Sequence, residues 1–517
     1  MFEKVLVANR GEISKRIFRA CQELGVRTAA VYSAADADAP WTRLADEGYL
    51  LPGVSAAETY LNQAAILQVA QKAGVDAIHP GYGFLSENAT FAEACRQHHI
   101  KFIGPAPEAI RVMGSKATAR AVAQQAGVPV IPGVDGIGPL GIHKTDEELL
   151  AAAHIIGFPV LIKASAGGGG KGMRVVWSAD AFADALQAAR RESRSAFGDD
   201  HVLLEKYFTE IHHVEVQVLG DQHGNLVHLF ERECSIQRRH QKIIEESPSP
   251  VVTPPLRQKM TEAALALARA VQYESAGTVE FVVDSSGQFY LLEMNTRLQV
   301  EHPVTEAISG LDLAVWQIRI AAGERLPLAQ GDLQQRGHAL ECRIYAEDPA
   351  NQFLPSTGKI TCYQRPAGPG VRVDDGIETG AMVTPYYDPM LAKVITWGAD
   401  RAEAIRKMAR ALQDTVILGV TTNIPYLLAI LRHPDFAQGR TPTNFLSEKM
   451  PAWQPIPLPD DDVWLALAVH EALQSQTPHT AVQQPHQPSI PDPWALADGW
   501  RNVTVQPSRY DELILGQ

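Results

Sequence analysis

Basic residues are in the minority in this 517-residue chain: 46 Lys and Arg stand against 59 Asp and Glu, a net charge of −13. Binding a phosphodiester backbone requires a basic surface, so nucleic acid is excluded as a partner. Long apolar runs are also missing. None approaches the roughly 20 residues that span a bilayer, which excludes a membrane protein. The start, "MFEKVLVANRGE", has acids on both sides of a short apolar run, unlike a secretory signal. Cysteine is scarce: Cys21, Cys95, Cys234, Cys342 and Cys362 are odd in number, scattered and without a CxxC spacing. Reduced thiols in a cytoplasmic protein are expected from that pattern. Two phosphate-binding signatures are absent as well. No GxGxxG follows the first strand-like run, and the P-loop pattern fails because Lys171 is followed by Gly172. What remains is an ordinary globular composition, 45% hydrophobic and 20% charged. The length is too great for one core and suggests about three domains.

The first hundred residues alternate strand and helix. "KVLVAN", "RTAAVYS" and "VDAIHPG" read as buried strands, and "GEISKRIFRACQELG", "NQAAILQVAQKAG" and "ENATFAEACRQHH" as helices. This rhythm predicts a parallel α/β sheet covered by helices. From about Gly127 to Glu205 a small α+β unit is expected, with the helix "TDEELLAAAHIIG", the strands "PVLIKAS" and "RVVW" and a longer helix. A larger mixed domain follows, to about Lys449. After Met450 comes one apolar helix, "DVWLALAVHEALQ", and then "SQTPHTAVQQPHQPSIPDP", whose composition is that of a linker.

The stretch "EMNTRLQVEHP", Glu293 to Pro303, places Glu293, Asn295, Arg297, Gln299 and Glu301 at every second position. An extended chain would aim all five the same way. Upstream, "TVEFVVDSSGQFYLLE" reads as a hairpin, and a turn centred on Ser286-Gly287 sets Glu280 across from Glu293. Facing like charges destabilise a sheet unless a cation lies between them. Glu280, Glu293 and Asn295 offer the hard oxygens that Mg²⁺ prefers. A solvated strand face, with the register shifted by one residue, gives the same pattern.

Three further stretches carry chemistry. "KASAGGGGKGM", Lys163 to Met173, sets four glycines beside a basic strand, as a phosphate-cradling loop requires. Flexible surface loops look similar. "ERECSIQRRHQKIIEESPSP" crowds Glu231, Glu233, Arg238, Arg239, His240, Lys242, Glu245 and Glu246 together. It reads either as a self-neutralising solvated loop or as fixed cations beside an anion site, with Lys242 the candidate. "HPGYGFLSEN", His79 to Asn88, follows a buried strand, and ligands of open α/β sheets sit beyond such strand ends. A tight turn with an aromatic plug is the alternative.

Taken together, "VANRGEI", "HPGYGFLSEN", "IGP…MGSK", "KASAGGGGKGM", "EKY", "HHVEVQVLGD", "ERECSIQRRHQK", "GTVEFV", "LEMNTRLQVEHPVTE", "HALECRIYAEDP", "LPSTGKI" and "YYDPMLAKVI" resemble biotin carboxylases, in the same order, from about Met1 to Met450. These are ATP-grasp enzymes that use ATP and bicarbonate to carboxylate biotin. The resemblance implies an N-terminal parallel α/β domain over 1–119, an ATP-grasp domain over 120–317 with its lid at about 127–205, and a C-terminal mixed domain over 318–450. Residues 451–517 would hold a helix, a linker and the start of a partner-binding segment. There "DPWALADGWR", Asp492 to Arg501, resembles acyl-CoA carboxylase α subunits such as the methylcrotonyl-CoA type.

The resemblance also implies roles. Mg²⁺ or Mn²⁺, two ions in all, would sit on Glu280, Glu293 and Asn295. Lys116, Lys163, Gly168, Gly169, Gly170 and His240 would contact ATP phosphates or ribose, and Glu205, Lys206 and Phe208 would line the adenine pocket. Bicarbonate would be held by Lys242, Arg297, Gln299 and the Val300 backbone, with Glu301 as general base. Arg343 would stabilise the biotin enolate, while Tyr82, Gly83, His213, Glu215 and Gln237 would border the ureido ring. Ala166 and Lys171 depart from the commoner glycine and arginine of the family's lid loop. Biotin carriers display their lysine in a turn resembling Ala-Met-Lys-Met, and no such tetrapeptide occurs here. Biotin is therefore expected in trans, free or on a carrier domain of another chain. A carboxyltransferase partner and a homodimer through the first domain are implied too. Another bicarbonate-phosphorylating ATP-grasp ligase, such as a carbamoyl-phosphate synthetase half, or a silent scaffold subunit are the alternatives.

Overall fold

The computed structural model describes residues 1–136, 144–164, 173–197, 200–239, 241–455 and 460–475. The chain divides into two compact units, Met1–Trp453 and Gln454–Gln517.

The first unit opens with β1 (Lys4–Val7), α1 (Gly11–Glu23), β2 (Arg27–Tyr32), β3 (Glu47–Leu50), α2 (Gln63–Ala73), β4 (Ala77–His79), α3 (Ala89–Gln97) and β5 (Lys101–Phe102). The five strands form one parallel sheet in the order β3-β2-β1-β4-β5. The expected alternation is present, with two short strands that hydrophobic periodicity does not mark, β3 and β5. Local chemistry sets the helix ends. Asn62 and Asn88 accept from the backbone N–H groups of Ala65 and Phe91, and α2 closes on Gly74 in the left-handed region.

Helices α4 (Pro107–Gly114) and α5 (Lys116–Gln125) lead to a small antiparallel sheet. It comprises β6 (Gly133–Asp135), β7 (Val160–Ala164), β8 (Arg174–Val176) and β9 (Val202–Lys206), in the order β6-β9-β7-β8. Helices α6 (Asp146–Ile156) and α7 (Phe182–Phe197) belong to the same region. Thr145 and Glu148 form a capping box at the start of α6. Strand β6 lies inside the Gly- and Pro-rich stretch that the sequence presents as a loop.

The centre of the unit is an eight-stranded sheet. Its labelled members are β10 (Ile211–Gly220), β11 (Leu226–Arg238), β12 (Gln241–Ser247), β13 (Ser275–Asp284), β14 (Phe289–Asn295) and β15 (His338–Tyr345). The order runs β14-β13-β10-β11-β12-β15, then Met390–Gly398 and Val371–Asp375. Helix α8 (Pro254–Ala270) packs on β10 and β11, and α9 (His302–Ser309) packs across β11, β12 and β15. "ERECSIQRRHQKIIEESPSP" is therefore no solvated loop. It forms β11 and β12 of this sheet, and Glu231, Glu233, Glu245 and Glu246 are all buried.

In the second unit the apolar run forms the helix Asp460–Ser475, along which Val463, Trp464, Leu465, Leu467, Val469 and Leu473 are exposed. The linker and "DPWALADGWR" lie outside the described residues. Among the described residues no helix is long and apolar enough to cross a membrane.

Candidate active site

Four strands put one row of charge across the central sheet. Arg232 on β11 pairs with Glu215 on β10, Glu215 with Glu280 on β13, and Glu280 with Glu293 on β14. The expected Glu280–Glu293 pair is present, reached by another route. The turn residues pair Val283 with Phe289, one step short of the expected register, and an irregularity at Leu292 restores it. The extended run is shorter than its alternation suggests. Strand β14 ends at Asn295, and Arg297, Gln299 and Glu301 lie on a turn into α9. Arg297 nevertheless reaches Asn295 Oδ1 at 2.8 Å and Gln299 Oε1 at 2.9 Å, so the three still gather on one side.

Two carboxylates of the row, Glu215 and Glu280, share a cation with Glu301: Lys242. Its Nζ lies 2.6 Å from Glu215, 2.9 Å from Glu280 and 2.7 Å from Glu301. Burial would lower this lysine's pKa, but the three carboxylates hold it well above the usual ammonium value. Glu301 is completely buried at the N-terminus of α9 and makes no capping bond. Its carboxylate is held instead by Lys242 and by Arg343, 2.9 Å away. Burial alone would raise the Glu301 pKa; Lys242, Arg343 and Arg232 depress it well below the carboxylate range. Arg343 in turn rests on Glu245 at 2.6 Å, where burial outweighs the arginine and pushes the Glu245 carboxyl up to about 7.

Glu280 shows the same contest. Burial is the largest influence, yet Lys242 and His213, whose Nε2 is 2.9 Å away, hold its carboxyl far below normal. Glu293 has no such partner. Crowding by protein raises its pKa first, and the charges of Glu280 and Glu87 add to the rise. A divalent cation would relieve the Glu280–Glu293 repulsion, and the two carboxylates with the Asn295 amide oxygen are the hard donors such an ion requires. The buried Asn295 Nδ2 has no partner while Oδ1 faces Arg297. By donor chemistry, Glu280, Glu293 and Asn295 are the residues that could hold a Mg²⁺ or Mn²⁺ ion.

The residues expected around biotin divide. Gln237 Nε2 lies 3.4 Å from His213 Nδ1. Glu215 is fully buried, with Arg232 on one oxygen at 2.5 Å and Lys242 on the other. It therefore supports Lys242 and presents no open edge. Tyr82 donates its hydroxyl to Glu12, and Gly83 adopts φ +68° in the same loop.

The residues expected around ATP lie mainly on the small sheet. Lys163 on β7 pairs with Glu205 on the adjacent β9, and Arg120 is 3.9 Å from the same carboxylate. Lys206, next along β9, turns to the carbonyls of Gly157 and Phe158 at 2.9 and 3.2 Å. Phe208 stacks on Tyr290 with ring centroids 5.2 Å apart. Lys116 is the first residue of α5. Gly168, Gly169, Gly170 and His240 lie outside the described residues.

Sequence reasoning missed several supports. Glu87 binds the Arg297 guanidinium at 2.8 Å and the Thr296 N–H at 2.9 Å. It stands within "HPGYGFLSEN", which draws notice as a loop beyond a buried strand, with Tyr82 and Gly83 and not Glu87 as the candidates. Glu245 was visible as part of a charge cluster and Arg232 lay unremarked within the same stretch; the partners Glu215 and Arg343 come from β10 and β15.

A small antiparallel sheet preceding a large antiparallel sheet loaded with acids and cations is the architecture of an ATP-grasp ligase. Three family models match in turn: biotin carboxylase, N-terminal domain (1–110), carbamoyl-phosphate synthase L chain, ATP binding domain (115–329), and biotin carboxylase C-terminal domain (341–448). The chain belongs to the biotin carboxylase family. It is 52% identical over 447 residues to a biotin carboxylase of Nostoc sp., covering 86% of this chain and 99% of that protein. It is 49% identical to the mitochondrial methylcrotonoyl-CoA carboxylase subunit alpha of Mus musculus, over 86% of this chain and 62% of the relative. The biotin carboxylase domain dimer of Hydrogenobacter thermophilus 2-oxoglutarate carboxylase, solved with MgADP, ADP and bicarbonate, superposes with a TM-score of 0.82. That structure is 47% identical, and the match covers 88% of this chain and all of the other.

Proposed function

We propose that this protein carboxylates biotin in two steps, ATP-dependent activation of bicarbonate to carboxyphosphate and transfer of the carboxyl group to the biotin ureido nitrogen. The carrying observation is Glu301, an ionised carboxylate buried between Lys242 and Arg343. A carboxylate so held is a weak base until another anion shares its cations. Bicarbonate entering beside Lys242 and Arg297 supplies that anion. Glu301 then accepts the bicarbonate proton, and the freed oxygen attacks the γ-phosphate of ATP. Gln299 and the Val300 backbone complete the anion's hydrogen bonds. Catalysis of this kind rests on positioning and fixed charge. The divalent cations on Glu280, Glu293 and Asn295 would neutralise the phosphate oxygens.

On the nucleotide side, Lys163 and Lys116 meet the phosphates, as do Gly168, Gly169, Gly170 and His240 of the segments outside the described residues. Glu205, Lys206 and Phe208 border the adenine. On the acceptor side, carboxyphosphate releases CO₂ and phosphate, the phosphate takes the ureido N–H proton, and the nitrogen attacks CO₂. Arg343 stabilises the biotin enolate, and Tyr82, Gly83, His213 and Gln237 border the ring with Glu215 behind them. The working divisions are 1–119, 120–317, 318–450 and 451–517. The protein acts in the cytoplasm, as a homodimer, on biotin presented by a carrier in trans, and passes the carboxyl group to a carboxyltransferase subunit of an acyl-CoA carboxylase.

ADP release by the purified chain tests this reading. It should depend on bicarbonate and rise further with free biotin at high concentration. Bicarbonate-dependent release that ignores biotin, with carbamoyl phosphate formed from ammonia, would favour the synthetase alternative. Absence of any ATP cleavage would favour the silent scaffold, and ATP cleavage indifferent to bicarbonate would overturn the reading.

A further inference from the structure

The proposed mechanism leaves "VANRGEI" and "YYDPMLAKVI" without a part, and the fold brings them to one point. Lys393, in the strand Met390–Gly398, is fully buried. Its Nζ donates to the Val300 carbonyl at 2.7 Å and lies 3.3 Å from Glu12 Oε1 and 4.0 Å from Asp374. Asp374 is already occupied by Arg372 at 2.9 and 2.7 Å, so Glu12 is the principal counter-charge. Glu12 also accepts from the Tyr82 hydroxyl, and the Lys393 ammonium stands 5.8 Å over the Tyr82 ring. Asn9 fixes the same loop by donating to the carbonyls of Pro80 and Tyr82 at 2.6 and 2.7 Å.

The Val300 carbonyl belongs to the peptide that joins Val300 to Glu301. Lys393 is in register with Arg343 on β15, so two neighbouring cations hold one residue: Arg343 takes the Glu301 carboxylate, and Lys393 takes the peptide just before it. Without the ammonium, this carbonyl would lose its donor. Neither the charge nor the reach of Lys393 is needed by the sheet, whose strands pair through backbone groups.

We propose that Lys393 is a positioning residue for carboxylation, a buried cation that fixes the turn bearing Gln299, Val300 and Glu301 and ties it through Glu12 to the Tyr82 loop. The inference rests on the biotin carboxylase reading above. It assigns Lys393 no contact with substrate; it acts through the Val300–Glu301 peptide.

The test uses the full chain with Lys393→Met and the double variant Glu12→Gln/Lys393→Met, following ADP release against bicarbonate and against ATP. The single variant leaves Glu12 buried without its cation and should melt early. The double variant removes the Glu12 charge as well. With Asp374 held by Arg372 and burial keeping the Glu341 carboxyl well above the usual range, it should recover most of the melting temperature. Its KM for bicarbonate should still rise about tenfold or more, because displacement of a reacting group by about 1 Å is costly, while KM for ATP stays within about twofold. A purely structural lysine would give a double variant with wild-type bicarbonate KM, and that result overturns the proposal. A double variant that fails to fold overturns it too, since the lysine would then hold the fold as a whole. If the unmodified chain shows no bicarbonate dependence, the parent reading fails, and this inference with it.

Discussion

Around Lys242, three carboxylates from three different segments share one buried ammonium, and Arg343, Arg232 and His213 take their remaining oxygens. Around Lys163, on the small sheet, a single partly buried pair with Glu205 is joined only distantly by Arg120. The first region is assembled before any substrate arrives. Its charges have counter-charges, so bicarbonate replaces existing interactions and creates few new ones. That suits a step in which a small anion must be deprotonated and aimed. Among the described residues the second region offers separate lysines, an aromatic stack and backbone groups, which suits a large ligand that brings its own contacts. Fixed electrostatics belong where charge changes, and looser surfaces suffice where only binding is needed.

The largest effect should follow from removing the proton acceptor on the fixed side. Glu301→Gln should lower bicarbonate-dependent ATP cleavage by about 10²–10⁴, the typical contribution of a positioned base, and leave ATP affinity within a few-fold. Steady-state ADP release with nucleotide titration measures both. Near-normal turnover would erase the distinction between the two regions.

Parts of this contrast were legible in the sequence. The alternation from Glu293 and the Ser285-Ser286-Gly287 turn sufficed to face Glu280 with Glu293, even though the turn register and the Leu292 irregularity compensate each other. The charge cluster and the alternation singled out Lys242 and Glu301, and the resemblance supplied their roles. What could not be read was their company. Glu215 joins the row by pairing strands 65 residues apart in sequence, and Glu87 reaches Arg297 across 210 residues. Such contacts leave no local periodicity. Strands β3, β5 and β6 were missed for a related reason, because two to four residues are too few to show alternation.

A smaller effect, on stability, concerns the loop that carries Tyr82. His79 is fully buried and its Nδ1 accepts the Gly81 N–H at 3.0 Å. Burial, and then the charge of Arg16, push its pKa down to about 3. The folded value lies below the unfolded one, near 6.5, so the neutral form is favoured by folding. The corresponding stability is fully present above about pH 6.5 and is lost as pH falls toward 3, at no more than about 1.4 kcal/mol per pH unit. Thermal melts at pH 7 and pH 5 should show a steeper acid loss for the native chain than for His79→Asn, which keeps an acceptor but does not titrate. Parallel losses would remove His79 as the cause.

The smallest effect should come from the nucleotide side. Phe208 lies between β9 and β10, where the small sheet joins the large one, and stacks on Tyr290 of the hairpin that also carries Glu293. Aromatic pairs contribute about 0.5–1.5 kcal/mol beyond the area they bury, equivalent to about two- to twelvefold in a binding constant. Phe208→Ala should therefore raise KM for ATP by about that factor. The ring contact of Phe208 is with Tyr290 and not with the turn from Thr296 to Glu301, so kcat and KM for bicarbonate should change by less than about twofold. Saturation curves for both substrates on one preparation separate the cases. A selective loss in ATP binding keeps the two regions independent. A matching loss in bicarbonate binding would mean that the hairpin transmits disturbance from one to the other, and that the fixed site depends on the looser one for its geometry.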